Sequence, residues 1–157
     1  NRRSLGQEPV ADLRVRASQL QGGPVDPALV SLAIDEFPAL FVAAAAAKGK
    51  TRFSGLEELR VKESDRIAAM ADGLRRLGIE VEETPDGAVV YGGRFTGGEV
   101  ESYHDHRVAM SLAIAGTVAD DEVLVCGVDN VDTSFPGFKD LMTSLGADIV
   151  AADGAVQ

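Results

Sequence analysis

An α/β or α+β fold, built from repeated strand–helix units with a mixed sheet, is predicted by three observations. Segments with a period of two alternate along the chain with segments of period 3.6, which is typical of strands that alternate with helices. Glycine follows many of these segments, where it ends helices and opens turns. The order helix, strand, helix, strand occurs twice, over about residues 28–92 and 103–152. Stacked copies of one unit share a core, so helices would cover one face of the sheet.

The first copy is preceded by residues 13–17, whose alternating apolar and charged side chains predict a strand. Residues 38–48 are rich in alanine and predict a helix that ends at Gly49. The remaining elements of this copy are a strand at 51–53, an amphipathic helix at 64–77 and a hairpin with strands at 79–83 and 88–91.

The second copy repeats this order at a spacing of roughly 70 residues. Its elements are a helix at 105–119, a strand at 122–126, a helix at 135–145 and a strand at 148–151. Three pairs of landmarks align the copies: Asp35 with Asp105, 70 residues apart, Gly55 with Gly127, 72 apart, and Gly78 with Gly146, 68 apart.

Composition limits the classes of function. The chain has 157 residues and a net charge of -10, whereas a protein that binds nucleic acid would show a basic surface. The longest apolar stretch, residues 29–47, is interrupted by Asp35, Glu36 and Pro38, so we expect no membrane span. No signal peptide is visible, and Cys126 is the only cysteine, which suits a reducing compartment. We therefore expect a cytoplasmic protein that has no nucleic-acid or membrane partner.

Charged residues collect where helices are predicted to begin. In residues 35–38, Asp35 either caps a helix or places a carboxylate at the mouth of a site, where it could transfer protons. In residues 60–66, Lys62 and Arg66 either belong to a solvated helix entry or face an anion at the helix N-terminus. On the second interpretation, Glu63 lies between two cations and close to the reacting anion.

Two further segments of this kind occur in the second copy. Arg107 could grip a carboxylate or phosphate with two hydrogen bonds, and Asp105 could cap the helix or orient Arg107. A metal site formed by His104, Asp105 and His106 is a weaker alternative, because neighbouring residues rarely converge on one ion. In residues 132–136, Ser134 is predicted to cap a helix that Pro136 begins. Cys126 lies in an apolar run and is interpreted as a core residue rather than a nucleophile.

Four segments of the chain resemble motifs of the enolpyruvylshikimate-phosphate synthase (EPSP synthase) family, and their order and spacing match those of the family. They are residues 34–38 (IDEFP), 59–66 (LRVKESDR), 105–111 (DHRVAMS) and 134–136 (SFP). They are most similar to the bacterial subgroup that includes glyphosate-tolerant members. The resemblance implies a fold of two domains, each an inside-out barrel of three strand–helix units with the helices inward. The chain would be about two of the three units of the C-terminal domain, with the N-terminal domain absent.

The resemblance also implies a reaction, in which the 5-hydroxyl of shikimate 3-phosphate attacks phosphoenolpyruvate and phosphate is released. No metal or organic cofactor is implied. By motif, Asp35 matches the aspartate that contacts the shikimate hydroxyls as candidate base. Glu63 matches the proposed proton donor, and Lys62 matches a lysine near the substrate hydroxyl. Arg66 and Arg107 match the arginines that clamp the phosphoenolpyruvate carboxylate. Because the other domain supplies the rest of the site, we expect this chain alone to be inactive.

One position departs from the family pattern: Thr133 stands where many members have a lysine. Two alternatives to the main interpretation remain open from the sequence. One is the sister transferase that modifies UDP-N-acetylglucosamine, which shares the fold. The other is a non-catalytic binding module that has kept the fold.

Overall fold

In the computed structural model, which describes residues 2–152, three helices pack against one another and contact strands of two sheets. The strands are β1 (Arg2–Leu5), β2 (Glu8–Ala11), β3 (Lys50–Phe53), β4 (Val81–Thr84), β5 (Gly87–Tyr91), β6 (Gly98–Glu101) and β7 (Val123–Cys126). The α-helices are α1 (Val30–Ala33), α2 (Phe37–Ala45), α3 (Arg66–Arg76), α4 (His106–Gly116), α5 (Val131–Ser134) and α6 (Phe138–Ser144). Turns of 3-10 helix occur at Pro27–Leu29, Ile34–Glu36 and Glu57–Val61.

Strand pairing is both parallel and antiparallel, as predicted, but it is divided among separate sheets. β1 pairs with β2 and β3-β5-β4 form a second sheet, both antiparallel, whereas β6 and β7 pair in parallel. Two parallel bridges, Gln21 to Lys48 and Pro24 to Arg52, bring the segment before the first helix alongside β3. α3 contacts both β4 and β6, so this helix packs against the last two sheets.

The core is formed where α2, α3 and α4 meet, and each helix contacts the other two. Phe41 of α2 stacks on Phe53 of β3 with ring centroids 4.6 Å apart, and Phe37 packs edge-on against the same ring at 5.9 Å. The other helices add apolar side chains that are at most 1% exposed: Ile67, Met70 and Leu74 from α3, and Val108 and Leu112 from α4. Burial of each such side chain contributes about 1.5–3 kcal/mol, so this helix cluster fixes the helix starts that carry the charged segments.

The N-terminal part of the chain differs from the prediction. Residues 13–17 form no strand, and Leu13 and Val15 are 88% and 90% exposed. The alternation is present, but a strand also needs a partner, and within residues 2–152 none lies beside this segment. β1 and β2 were not predicted, because their short run contains few apolar residues and turns at Gly6, whose φ is 65°.

The C-terminal helix also begins later than predicted. Gly137 has a left-handed φ of 78° and separates α5 from α6, so the helix starts at Phe138. Ser134 is the last residue of α5 and does not cap a following helix. Residues 148–151 form no strand, and β6, which contains only one large apolar residue, Val100, was not predicted.

One helical run among the described residues, Pro27–Ala45, is long and apolar enough to span a membrane by length and composition alone. It is built from separate turns rather than one continuous helix, since Ala33 has φ −144° and ψ 26° and interrupts it. Two carboxylates, Asp35 and Glu36, lie midway, and the part that follows them is buried in the protein core. Only the α2 part of the run is therefore a core helix, and the turns before it contain no buried residue.

Candidate functional site

The Arg66 side chain lies at the centre of the charged residues and is 1% exposed. Its three nitrogens each donate to a different carboxylate of the same chain. Nε donates to Asp105 Oδ2 at 2.8 Å, NH1 to Asp35 Oδ1 at 3.1 Å and NH2 to Glu63 Oε2 at 2.5 Å. Three of the predicted charged segments therefore meet at one guanidinium, although Asp35 and Asp105 are 31 and 39 residues away along the chain.

Asp105 is fully buried, and both of its oxygens are engaged. Oδ2 accepts from Arg66 and from Ser64 Oγ at 3.0 Å, and Oδ1 accepts from the backbone N–H groups of Arg107 at 2.9 Å and Val108 at 3.3 Å. The capping alternative for Asp105 is thus confirmed. Asp105 binds the side chain of Arg66 directly, but of Arg107 it binds only the backbone N–H. Burial alone would raise the pKa of the Asp105 carboxyl, but Arg66 and the two N–H groups outweigh it and hold this pKa below its ordinary value.

The pKa of the Arg66 guanidinium is shifted by the same ion pair, in the opposite direction. Burial favours its neutral form, but the hydrogen bond and charge of Asp105, with those of Glu63 and Asp35, raise the pKa of the guanidinium above its ordinary value. The Arg66–Asp105 pair therefore stays ionised. Because both oxygens of Asp105 are occupied, this residue has no lone pair directed at a metal ion between His104 and His106. In the described part of the chain, no three His, Cys, Asp or Glu side chains are grouped so as to hold a metal.

Lys62 lies at the edge of this cluster. Its Nζ donates to Glu58 Oε1 at 2.6 Å and lies 3.9 Å from Asp35 Oδ1. The hydrogen bond to Glu58 raises the pKa of the Lys62 ammonium, with smaller contributions from the charges of Glu58 and Asp35. Sequence analysis missed Glu58, although its position four residues before Lys62, in a helical turn, is the spacing at which such pairs meet.

Arg107 approaches the same cluster from the start of α4. Its NH1 donates to the backbone oxygen of Asp35 at 2.9 Å and to Glu36 Oε1 at 3.1 Å. Its side chain is 31% exposed, in contrast to that of Arg66. Asp35 caps no helix, since it lies within the 3-10 turn Ile34–Glu36 and its carboxylate is directed at Arg66. The capping alternative for this segment is therefore wrong, and a carboxylate at the mouth of a site stays a prediction.

The cluster has a buried floor and a solvent-facing rim. Arg66 and Asp105 form the floor, whereas the side chains of Asp35, Glu63 and Lys62 are 46%, 52% and 24% exposed. Two carboxylates and an ammonium group at a rim can donate and accept protons, and a fixed guanidinium beneath them limits their movement. All five residues that sequence analysis named as site candidates are brought together.

The loop before α4 delivers Asp105 to the floor. Tyr103 and His104 both have φ 56°, a left-handed conformation that side chains other than glycine seldom adopt. Two hydrogen bonds brace this loop: Ser102 Oγ donates to Gly127 O, and Asn130 Nδ2 donates to His104 O, both at 2.7 Å. Nothing in the sequence pattern of this segment indicates the strained backbone.

Two residues that drew attention in the sequence lie outside the cluster. Cys126 is half-buried in β7, and burial together with the charges of Glu99 and Glu101 raises the pKa of its thiol. A raised pKa disfavours the thiolate, which agrees with a structural role for Cys126. Thr133 is exposed in α5 and has no recorded contact with the cluster within residues 2–152.

Comparison with known proteins gives consistent results. The family model for EPSP synthase (3-phosphoshikimate 1-carboxyvinyltransferase) matches residues 2–142. A relative named 3-phosphoshikimate 1-carboxyvinyltransferase from Magnetococcus marinus is 58% identical over 149 residues, which are 93% of this chain and 34% of the relative. A relative of the same name from Xanthomonas oryzae pv. oryzae is 56% identical over 153 residues, 98% of this chain and 35% of the relative.

A solved structure of EPSP synthase from Acinetobacter baumannii superimposes with a TM-score of 0.94 and 46% identity, and the match covers 98% of this chain and 36% of that one. The predicted α/β fold of the transferase type is thus confirmed. The chain spans about a third of the length of the relatives that it matches. On the family match, the identities and the superposition, the chain belongs to the EPSP synthase family.

Proposed function

We propose that this chain is part of the C-terminal domain of a 3-phosphoshikimate 1-carboxyvinyltransferase. The complete enzyme would transfer the enolpyruvyl group of phosphoenolpyruvate to the 5-hydroxyl of shikimate 3-phosphate and release phosphate. The observation that carries this proposal is the placement of Asp35 and Glu63 on NH1 and NH2 of the buried Arg66, with Lys62 Nζ 3.9 Å from Asp35. The names of the relatives support the choice of reaction.

The reaction assigns a separate task to each rim residue. Asp35 accepts the proton of the attacking hydroxyl as its oxygen bonds to C2 of phosphoenolpyruvate, and Glu63 gives a proton to C3. The product is a tetrahedral ketal. Phosphate then leaves from C2 while the new methyl carbon returns a proton to the Glu63 carboxylate, which restores the vinyl group. Lys62, close to Asp35, stabilises negative charge at the hydroxyl oxygen and shares in its proton transfer. These steps use side-chain acids and bases and call for neither metal nor organic cofactor.

The arginines differ in how readily they could hold a substrate. Arg107 is 31% exposed, so an anionic ligand could approach it from solvent. Three of the five N–H groups of Arg66 donate to carboxylates, and its side chain is only 1% exposed, so a phosphoenolpyruvate carboxylate reaches the remaining two only if Asp35 or Glu63 moves aside. We assign Arg107 to the first contact with the phosphoenolpyruvate carboxylate. Arg66 is assigned two tasks: a second contact with that carboxylate, and holding Asp35 and Glu63 in place.

The rest of the enzyme would come from outside this chain. Residues 28–92 and 103–152 are proposed as two of the three units of the C-terminal domain, and the N-terminal domain would add contacts to both substrates. The three cations at the site are all paired with acids of this chain, so further cations are needed where two anionic substrates meet. We place the complete enzyme in the cytoplasm.

The test is made on a completed enzyme, in which this chain is joined in cis to the N-terminal two thirds of the Magnetococcus marinus relative. Release of phosphate from phosphoenolpyruvate and shikimate 3-phosphate is measured, with the 157-residue chain alone and the intact relative as controls. Release by the completed enzyme and not by the chain alone supports the proposal. A folded, completed enzyme that releases phosphate only with UDP-N-acetylglucosamine, or not at all, contradicts it and favours the sister transferase or the binding module.

A further inference from the structure

We propose that Asp105 is a positioning residue for the reaction: through Arg66 it fixes both the candidate base Asp35 and the candidate acid Glu63, and through the start of α4 it fixes Arg107. This inference rests on the proposed function. Asp105 itself is 0% exposed and lies beneath the rim, so no substrate needs to touch it.

The first step of the argument is the hold on Arg66. A guanidinium is planar, so fixing one edge fixes the directions of the remaining N–H groups. Asp105 accepts from Nε at 2.8 Å, and Ser64 Oγ at 3.0 Å keeps that carboxylate in place. The two partly exposed carboxylates, Asp35 and Glu63, then take their positions from NH1 and NH2. Without the buried anchor, the guanidinium could follow either rim carboxylate toward solvent.

The second step concerns Arg107. The other oxygen of Asp105 accepts from the backbone N–H groups of Arg107 and Val108, so it fixes the first turn of α4. From that turn Arg107 reaches the backbone oxygen of Asp35 and the carboxylate of Glu36. One carboxylate therefore controls both the acid–base pair and the exposed cation.

The third step is the backbone that leads to Asp105. Two consecutive residues, Tyr103 and His104, have left-handed φ values of 56° and are braced by Ser102 and Asn130. Such strain persists only where surrounding contacts enforce it, and it is common next to functional sites. Here the strained turn places the Asp105 carboxylate in the protein interior, opposite Nε of Arg66.

The substitution Asp105→Asn separates positioning from helix capping. Asparagine caps a helix as well as aspartate does, so its oxygen can still accept from residues 107 and 108. Its amide, however, presents N–H to Nε of Arg66, which is also a donor, and the negative charge is lost. Asp65→Asn is the matched control, because Asp65 also caps a helix and also pairs with an arginine, Arg60 at 2.7 Å, outside the cluster.

In the completed enzyme we expect Asp105→Asn to lower kcat by about 10²-fold, since misplacement of catalytic groups by about 1 Å has an effect of that size. The KM for phosphoenolpyruvate should rise by less than about tenfold, because Arg107 keeps its charge and its exposure. Asp65→Asn should keep kcat within about twofold of the unmodified enzyme. An Asp105→Asn enzyme with unchanged kcat, or equal losses in both variants, would overturn the proposal.

A second readout does not depend on activity. In the completed enzyme labelled uniformly with ¹⁵N, the Nε–H of Arg66 should be protected from exchange, and Asp105→Asn should remove that protection while the amide of Val108 stays protected. If Arg66 stays protected, or if α4 also loses protection, Asp105 is only a structural residue. Should the unmodified enzyme release no phosphate, the proposed function fails, and this exchange measurement alone decides whether Asp105 holds Arg66.

Discussion

At the scale of single residues, the site depends on one buried ion pair that several exposed groups share. Removing one partner of a buried ion pair leaves an uncompensated buried charge, which lowers the stability of a protein by about 3–5 kcal/mol. Arg66 and Asp105 form such a buried pair, since their side chains are 1% and 0% exposed. The side chains of Asp35 and Glu63 are about half exposed. The buried pair therefore resists change, and the exposed carboxylates remain accessible to solvent and to substrate.

Asp35 provides a direct test of the acid–base assignment. In the completed enzyme, Asp35→Asn should lower kcat by about 10²–10⁴-fold, the range for loss of a general base, with a smaller effect on phosphoenolpyruvate binding. Asp26→Asn is the control, because Asp26 is an exposed aspartate that caps an earlier helix start by accepting from the N–H of Ala28. Among residues 2–152, it forms no hydrogen bond or ion pair with the site. Both are compared by steady-state kinetics. Near-normal kcat for Asp35→Asn would remove this residue from the proton transfers.

Glu58 is predicted to set the ionisation of Lys62. The hydrogen bond and charge of Glu58 favour the protonated amine and raise its pKa, so Glu58→Gln should lower the pKa of Lys62. Glu57→Gln is the matched control, since Glu57 is an adjacent exposed acid that makes no contact with Lys62 among the described residues. The pKa is read from an NMR titration of the Lys62 side chain. Equal shifts in the two variants would mean that general surface charge, and not this hydrogen bond, controls Lys62.

At the scale of elements, the sequence predicted what depends on local pattern. The amphipathic period of α3, the hairpin of β4 and β5 and the apolar run of β7 are all found, because each depends on a pattern that its own residues define. The strand predicted at residues 13–17 fails because a strand also requires a neighbour, which local alternation cannot supply. Likewise, the charged segments could be located from sequence, but the meeting of three carboxylates on Arg66 could not, since it depends on the packing of α3 against α4.

The contact between β5 and the end of α2 gives a prediction at this scale. Gly92 follows β5, and a Cβ on it would lie 1.6 Å from the backbone oxygen of Ala47. Because backbone must move to relieve this clash, Gly92→Ala should lower the free energy of unfolding by at least about 2 kcal/mol. Gly93→Ala is the matched control, since its Cβ would meet only the tip of Ile79 at 3.3 Å.

Urea unfolding of the 157-residue chain, followed by far-ultraviolet circular dichroism, measures both glycine variants. We expect Gly93→Ala to cost less than about 1 kcal/mol, because a side-chain tip can move aside. Similar unfolding midpoints for the two variants would show that the backbone at Gly92 can move away from Ala47 at little cost, which would contradict the prediction.

At the scale of the whole molecule, a net charge of -10 must coexist with a site for anionic ligands. The chain meets this requirement by grouping Lys62, Arg66 and Arg107 within one cluster, where helix N-termini add partial positive charge. Acids of the same chain neutralise all three cations, however. The cluster alone is therefore a poor anion site, which agrees with our expectation that the isolated chain does not catalyse the reaction.

Apolar surface leads to the last prediction, which concerns the isolated chain. Large apolar side chains are widely exposed: Leu13 at 88%, Val15 at 90%, Leu32 at 81%, Leu145 at 72% and Val150 at 74%. The relatives are about three times as long, so in a complete enzyme further chain could cover such positions. Exposed apolar patches and unpaired extended segments promote association. We therefore expect the 157-residue chain to self-associate, with a sedimentation coefficient that rises with protein concentration.

The segment at residues 13–16, which forms no helix or strand, allows this association to be traced. Leu13→Ser combined with Val15→Ser should lower the association, because both side chains are almost fully exposed. Arg14→Ser combined with Arg16→Ser is the matched control, since it changes the alternate positions and removes no apolar surface. Sedimentation velocity compares the three proteins over the same concentrations. If the unmodified chain stays monomeric throughout and melts in one sharp, concentration-independent transition, its exposed apolar residues do not drive association, and the chain is stable without the remainder of the enzyme.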